Sequence, residues 1–483
     1  MKLREVLKGI DYELVKGNVD GDINDIKYDS RKVENGDIFV CLVGINSDGH
    51  DYIDKAIELG CNTVIIEKDI NIDKDINVIK VNDTRRVLSI ISINYFNNPK
   101  KDITLIGITG TKGKTTTSWM IKNILEEDNR ECGIIGTMGI YYRDKHYDTV
   151  NTTPESYEIQ KYLREMVDNS IKYCVIEVSS QALKVGRVEG LSFDYGIFTN
   201  LTKDHIGEGE HSSMDEYVEC KSMLFDKCKN GIFNIDDSYS KIMIDKCRGN
   251  IYKYGYSVDS DIIIKDVKLL RDNNFLGIEV NTNGDVEDTF LVNTPGIFSA
   301  YNAICAVSVC KLIGCSIDSM KKGLKNVLVK GRMEIVPINK NYMIIIDYAH
   351  NGVSMESALK TIKDYDHNRI ISVFGAGGNR SIDRRFEMGE MSGKYSDFTI
   401  ITEDNSRFEN VVDIMNDIET GIKKTNGKYI KIEDRDSAIK YAIDMAEDND
   451  VIMLLGKGHE TYRDVNGIKE YYNERDTVYK IIN

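Results

Sequence analysis

Apolar residues along this chain fall into short runs separated by polar or glycine-rich breaks, with amphipathic stretches between them, the alternation expected of open α/β sheets. In the first hundred residues, 37–43 and 63–66 read as strands and 52–59 as a helix. Polar groups at the strand ends, Asp29, Ser30 and Arg31 and the stretch 44–50, suit either a ligand or ordinary turn chemistry. The proline-containing break at 97–101 sets a first boundary. Further runs at 103–106, 173–178, 196–200 and 231–233 alternate with helical patterns at 114–125, 217–224 and 301–312. Residues 256–292 read as strands and turns with a hairpin tip at 281–284, and Lys330-Gly331-Arg332 sets a second boundary. Beyond it, strands at 343–346, 370–374, 398–401 and 451–455 each end in polar or glycine residues. An open parallel sheet gathers such ends into one site.

The expected fold is therefore α/β with three domains. An N-terminal α/β domain (1–99) and a C-terminal Rossmann-like domain (332–483) flank a central open parallel sheet carrying a phosphate loop (100–331).

The clearest chemistry lies at Gly107-Ile108-Thr109-Gly110-Thr111-Lys112-Gly113-Lys114-Thr115-Thr116-Thr117, between a buried strand and a helix. Backbone N–H groups of such a turn and the positive end of the helix face an anion, and glycine lets the backbone approach it closely. Lys114 supplies charge for terminal phosphates and Thr115 a hydroxyl for Mg²⁺. The match is a variant, because Ile108 stands where the common pattern has glycine. Glu177, near the carboxyl end of a neighbouring strand, stands where such sheets place a Mg²⁺ carboxylate.

Composition narrows the partners. A formal net charge of -15 argues against general binding to nucleic acid or anionic membranes, so the bound anion must be held by local positive groups. No apolar leader and no run of about 18 uncharged apolar residues occurs, so a cytoplasmic protein without membrane insertion is expected. Ten cysteines show no Cys-x-x-Cys pair and read as buried free thiols. Cys305, Cys310 and Cys315, five apart, would point to different faces of a helix.

Taken together, Thr109 to Thr117, Glu177-Val178-Ser179-Ser180, Thr199-Asn200-Leu201 with Asp204-His205, Asn234 with Asp236-Asp237, Gly331-Arg332-Met333-Glu334, Asp347-Tyr348-Ala349-His350 and Gly456-Lys457-Gly458-His459-Glu460 resemble the ATP-dependent Mur ligases over essentially the whole chain. The resemblance implies an ATP- and Mg²⁺-dependent enzyme of peptidoglycan precursor synthesis. It would add a free diamino acid to a UDP-N-acetylmuramoyl dipeptide through an acyl phosphate, acting as a monomer. It implies that Gly110, Thr111, Lys112, Gly113, Lys114, Thr115, Thr116, Asn302, Arg332 and Asp347 bind ATP, and that Lys114, Glu177, His205 and Lys221 are catalytic. Thr115, Glu177, His205 and Lys221, the last carrying a carbamate (N6-carboxylysine), would hold Mg²⁺. Ser30, Arg31, Asn151, Thr152, Thr153, Ser179 and Arg187 would bind the UDP-sugar; Arg385, Asp404, Asn405, Arg407, Gly456 and Glu460 would bind the amino acid.

An arginine facing a second carboxylate favours meso-diaminopimelate, with L-lysine close behind. Ser406 replaces a family proline, Gln181 stands where many members have histidine and Gly207 where many have aspartate. Residues 204–211 and 347–352 look like the lysine-adding branch. Other readings are another ligase of the superfamily, such as one adding a different stem residue or a folylpolyglutamate synthetase, a phosphate-loop motor ATPase, and a non-catalytic nucleotide-binding regulator. Retention of Lys114, Glu177, His205 and Lys221 argues against the regulator.

Overall fold

The structure is a computed structural model; it describes all residues except 45–46, 205, 208–209, 273–274 and 483. The chain forms two compact units, Met1–Ile263 with Ile304–Met320, and Ile264–Ala303 with Lys321–Asn483.

In the first unit, β1 (Glu13–Lys16), β2 (Ile26–Lys27), β3 (Ile38–Val40), β4 (Thr63–Ile66) and β5 (Asn77–Lys80) form a sheet in the order β1-β5-β4-β3-β2. Only β1 runs antiparallel to its neighbour. Alternate residues serve opposite cores: Ile38, Val40 and Ile65 join one cluster, while Phe39, Val64 and Ile66 join another. Burial on both faces explains the nearly unbroken apolar runs in the sequence. Asp83 caps the helix Thr84–Tyr95 by accepting from the Arg85 and Arg86 amides.

This sheet is tied to the rest of its unit by Tyr28 Oη donating to Glu158 at 2.6 Å, Tyr157 Oη to Asp25 at 2.7 Å and Ser89 Oγ to the Glu189 carbonyl at 2.6 Å. Those bonds place residues 1–98 and the central sheet in one unit.

The central sheet contains β6 (Thr104–Thr109), β7 (Cys132–Gly136), β8 (Gly139–Tyr142), β9 (Lys145–Tyr147), β10 (Tyr173–Glu177), β11 (Phe193–Phe198), β12 (Cys228–Asn234) and β13 (Asn250–Gly255). Its order is β13-β12-β11-β6-β10-β7-β8-β9, with β8 and β9 antiparallel. The parallel strand β6 lies between β10 and β11, with Ile108 opposite Glu177 and Thr109 opposite Phe198. That register brings three functional strand ends together.

In the second unit, β14 (Ile262–Asp272), β15 (Phe275–Gly284) and β16 (Thr289–Val292) follow one another along a sheet. The expected hairpin tip at 281–284 is shifted: Asn281 pairs with Thr289 and the Thr282 amide donates to the Asp288 carbonyl, so the connection runs over 283–287 and takes in only Asn283 and Gly284 of the expected four. Asn and Gly signal a turn nearby, but cross-strand pairing sets its position.

The second sheet of this unit comprises β17 (Glu334–Ile335), β18 (Met343–Asp347), β19 (Ile370–Phe374), β20 (Phe398–Ile401), β21 (Tyr429–Lys431) and β22 (Val451–Leu455), in the order β17-β18-β22-β19-β20-β21. All pairs are parallel except β17–β18. A hairpin of β23 (Tyr462–Val465) and β24 (Ile468–Tyr471) follows.

Inside this unit Arg435 donates to Glu474 at 2.6 Å, both side chains being 1% exposed, and to the carbonyls of Glu403 and Leu455. Removing one partner strands a buried charge. Glu474→Ala is expected to cost about 3 kcal/mol, read as a lower thermal denaturation midpoint, and Glu474→Gln less because it keeps the acceptor oxygen.

All ten cysteines are free thiols and nine are buried. The expectation for Cys315 is corrected, since the helix Ser299–Ile313 ends before it and its thiol bonds with that of Cys310.

Candidate active site

The turn after β6 is built to expose backbone. Gly110 has φ +150°, and a β-carbon there would stand 1.9 Å from Thr199 Oγ1. Gly113, at φ +84°, is the N-cap of the helix Lys114–Glu127. With no capping side chain, the first N–H groups of that helix are left for an anion.

The turn is pinned from the end of β11. Thr199 Oγ1 donates to the Lys112 carbonyl at 2.8 Å and Asn200 Nδ2 to the same carbonyl at 3.0 Å, while the Lys112 amide donates to Asn200 Oδ1 at 3.0 Å. Sequence reading singled out Thr199 and Asn200 only as part of a motif, and this clamp is their physical role.

Lys114 Nζ donates to the carbonyls of Gly110 at 2.7 Å and Thr111 at 3.1 Å. Lys221, in the helix Met214–Ser222, donates to the same Gly110 carbonyl at 3.0 Å and lies 4.6 Å from the centre of the Tyr217 ring. The helical pattern alone suggests a solvated lysine. The side chain is instead buried, and burial together with the Lys114 cation pushes its amine well below the ordinary lysine range, against the opposing pull of Asp204.

Glu177, at the end of β10, is also buried. Its Oε2 accepts from Thr115 Oγ1 at 3.0 Å and from Thr137 Oγ1 at 2.9 Å. Burial raises its pKa, and Lys114 and the two threonines oppose the rise. Thr137 was missed by sequence reading, since nothing near it in the chain marks it as a partner of residue 177. Thr116 follows on the first helical turn, and His205 lies outside the described residues.

A second cluster adjoins this one within the same unit. Thr153 Oγ1 donates to the Glu177 carbonyl at 2.7 Å and accepts from the Ser179 amide at 3.0 Å; Thr152 Oγ1 lies 3.1 Å from Thr137 Oγ1. Arg187 donates to the Thr153 carbonyl at 3.1 Å and to Glu155 at 3.0 Å. Glu155 also pairs with Arg85, and both line a cleft of about 510 Å³ with Tyr28, Ser30, Arg31 and Leu42. Glu155 thus joins the candidates of the N-terminal sheet to those beside the phosphate turn. Asn151, next to Thr152, is exposed. Arg31 is itself exposed and forks onto Asp29 through two bonds of 2.9 Å.

The remaining candidates belong to the second unit. Asn302 is buried in the helix Ser299–Ile313. Asp347, at the end of β18, accepts from the amides of Met333 at 2.7 Å and Ala349 at 2.9 Å, and Arg332 lies 5.0 Å from the centre of the Tyr348 ring. Burial raises Asp347, with Arg332 opposing.

At the ends of β20 and β22, Asn405 Nδ2 donates to Glu460 at 2.8 Å, while Lys457 donates to Asn405 Oδ1 at 3.1 Å and to Asp404 at 3.4 Å. Burial acts to raise Asp404, but Lys457 and Arg435 outweigh it and hold the carboxyl low. Glu460 is raised by burial and by the Asp404 charge. Gly456, at φ +109°, lets the chain pass Asp404, for a β-carbon there would lie 2.8 Å from its Oδ2.

Arg407 donates to the Gly378 carbonyl at 2.6 Å, from a backbone at φ +52°. Arg385 is turned inward onto Glu409 at 2.8 Å and Asp417 at 2.9 Å. The structure thus brings together Asp404, Asn405, Gly456 and Glu460, adds Lys457, and holds Arg385 in internal ion pairs.

A phosphate turn beside a buried carboxylate, a desolvated lysine and an adjoining cleft defines a nucleotide-dependent ligase core. Family models for the Mur ligase catalytic domain, middle domain and glutamate ligase domain match residues 22–98, 108–310 and 331–458. The chain belongs to the Mur ligase family, ATP-dependent enzymes that form amide bonds.

It is 42% identical to the UDP-N-acetylmuramoyl-L-alanyl-D-glutamate--2,6-diaminopimelate ligase of Clostridium perfringens (strain 13 / Type A), covering 100% of this chain and 99% of that one. It is 40% identical to the ligase of the same name from Caldanaerobacter subterraneus subsp. tengcongensis, with the same coverage. A solved structure of a ligase of that name superposes with a TM-score of 0.71 at 25% identity, covering 100% of this chain and 98% of that one. Among the described residues no helix is long and apolar enough to cross a membrane.

Proposed function

We propose that this enzyme joins the terminal carboxylate of UDP-N-acetylmuramoyl-L-alanyl-D-glutamate to an amino group of meso-2,6-diaminopimelate, with cleavage of ATP. The observation that carries the reading is the convergence of Lys114, Glu177 and Lys221 on one phosphate turn. The names of the relatives support the choice of substrates.

The chemistry is acyl activation followed by aminolysis. The dipeptide carboxylate attacks the γ-phosphorus of ATP, the bond to ADP breaks, and the substrate amine then attacks the acyl carbon and expels phosphate. Both partners of the first step are anions, so the helix N-terminus and the Lys114 ammonium offset their repulsion. The Thr115 hydroxyl and the Glu177 carboxylate, 3.0 Å apart, form the hard-oxygen pair that suits Mg²⁺. The ion, when bound, would neutralise phosphate charge. His205 and Lys221 are proposed to complete that set.

Lys221 would act there as a carbamate. A neutral amine attacks the carbon of CO₂ and loses a proton, turning a cation into an anion able to meet the metal. The low proton affinity of the buried amine supports this step. The turn residues Gly110 to Thr116, with Asn302, Arg332 and Asp347, are assigned to ATP. The 510 Å³ cleft with Ser30 and Arg31, continued through Asn151, Thr152, Thr153, Ser179 and Arg187, is assigned to the UDP-sugar. The domains are taken as 1–99, 100–331 and 332–483, in a cytoplasmic monomer.

The third residue of the stem peptide is read from the second unit. Arg407 would fork onto the distal carboxylate of diaminopimelate while Glu460 and Asp404 meet its ammonium, with Asn405, Gly456 and Arg385 shaping the pocket. Arg407→Ala should raise KM for meso-diaminopimelate roughly 10- to 100-fold and change that for L-lysine much less; equal losses would remove Arg407 as the selector. The overall test is phosphate release from ATP with the UDP-sugar dipeptide and one amine at a time. Turnover should require both acceptors and prefer meso-diaminopimelate, whereas ATP hydrolysis without either would overturn the assignment.

A further inference from the structure

Cys228 opens β12, and Cys247 follows the helix Ser240–Lys246 as the one cysteine that is not buried. β11 and β12 run in parallel with Gly196 opposite Gly231. The missing side chains of these two glycines make room for the two thiols. A β-carbon on Gly196 would lie 2.8 Å from Cys228 Sγ, and one on Gly231 would lie 2.9 Å from Cys247 Sγ. Neighbouring strands stand about 4.8 Å apart, so sulfurs seated over paired glycines sit side by side on one face of the sheet, with Cys228 Sγ donating to the Phe225 carbonyl at 3.6 Å and Cys247 Sγ to the Asn250 carbonyl at 4.0 Å.

We propose that Cys228 and Cys247 form a redox modification site that closes to an intramolecular disulfide when a low-molecular-weight disulfide reaches Cys247. The Cys247 thiolate attacks one sulfur of the reagent and breaks its S–S bond, and the first leaving thiolate takes up a proton. Cys228 sulfur then attacks Cys247 Sγ in the mixed disulfide, and its proton goes to the second leaving thiolate. The protein loses two hydrogens and two electrons, and the reagent is reduced to two thiols.

The neighbouring Cys228 thiol holds the Cys247 thiol below its ordinary range, and the greater exposure of Cys247 favours it as the attacking group. Cys228, raised by its Cys247 neighbour and by burial, is the resolving partner. Cys310 and Cys315 also bond to each other, but both are buried and give a reagent no entry. Closure would join the start of β12 to the end of the helix Ser240–Lys246. Lys246 already pairs at 2.9 Å with Glu219 in the helix that carries Lys221.

The test treats the intact, folded protein with glutathione disulfide, alkylates the remaining thiols and maps linked peptides by mass spectrometry. A Cys228–Cys247 crosslink is expected, two hydrogens lighter than the reduced pair and reversed by dithiothreitol. Cys228→Ser should stop at the glutathione adduct on Cys247, and Cys247→Ser should yield neither adduct nor crosslink. The variant at the partly exposed position 247 covers the case in which the buried one fails to fold. Recovery of Cys247 alkylated and unlinked from oxidised wild type, or crosslinks among other cysteines at equal yield, would overturn the proposal.

Discussion

Lys114→Ala is expected to lower kcat/KM for ATP by about 10³-fold, equivalent to about 4 kcal/mol of transition-state stabilisation. The folded chain should survive, because Gly110 and Thr111, whose carbonyls accept from the lysine, keep their backbone path through the Thr199–Asn200 clamp. What disappears is a cation held over the positive end of a helix, where two anionic substrates must meet. Steady-state phosphate release and thermal denaturation of the same preparation separate the effects. A variant with an unchanged melting midpoint and near wild-type turnover would remove Lys114 from the site.

Lys221→Ala is expected to lose roughly 10²-fold in turnover, with part of the activity restored by added bicarbonate. Wild-type enzyme stripped of CO₂ should also lose activity and regain it with bicarbonate. The pH dependence follows from the lowered proton affinity of the amine. As pH falls through that lowered folded value the amine is protonated, it can no longer capture CO₂, and the carbamate is lost. Stability runs in the same direction. Between the lowered folded value and the ordinary 10.5, the unfolded chain binds more protons than the folded one, so stability rises with pH across that window. A carbon-13 signal from labelled bicarbonate that is present in wild type, absent in Lys221→Ala and weakened on acidification would verify both steps. Full activity in the variant without bicarbonate would refute the carbamate.

Much of the fold was legible because its signals are local. The apolar runs at 103–106, 343–346, 370–374, 398–401 and 451–455 became β6, β18, β19, β20 and β22, and the phosphate turn fell where strand, glycines and helix follow one another. The hairpin tip expected at 281–284 shifted to 283–287 because Asn281 and Thr282 are drawn into pairing with Thr289 and Asp288. Cys315 escaped the helical rule because the helix stops at Ile313. Thr115 and Glu177 were expected around one ion, but Thr137 was not legible, since it comes from a distant stretch of chain and meets Glu177 through β7 and β10.

The sequence by itself determined the class of protein, because phosphate binding needs residues only a few positions apart, and Gly110, Gly113, Lys114 and Thr115 keep that spacing even with Ile108 in place of glycine. Whether Lys221 is a solvated cation or a desolvated amine was decided by tertiary structure alone. So was the continuity of Ser30 and Arg31, through Glu155, with the phosphate turn. The physical reason is the same in each case. Burial, through-space charge and the meeting of strand ends depend on the register of segments far apart in the chain, which no local pattern encodes.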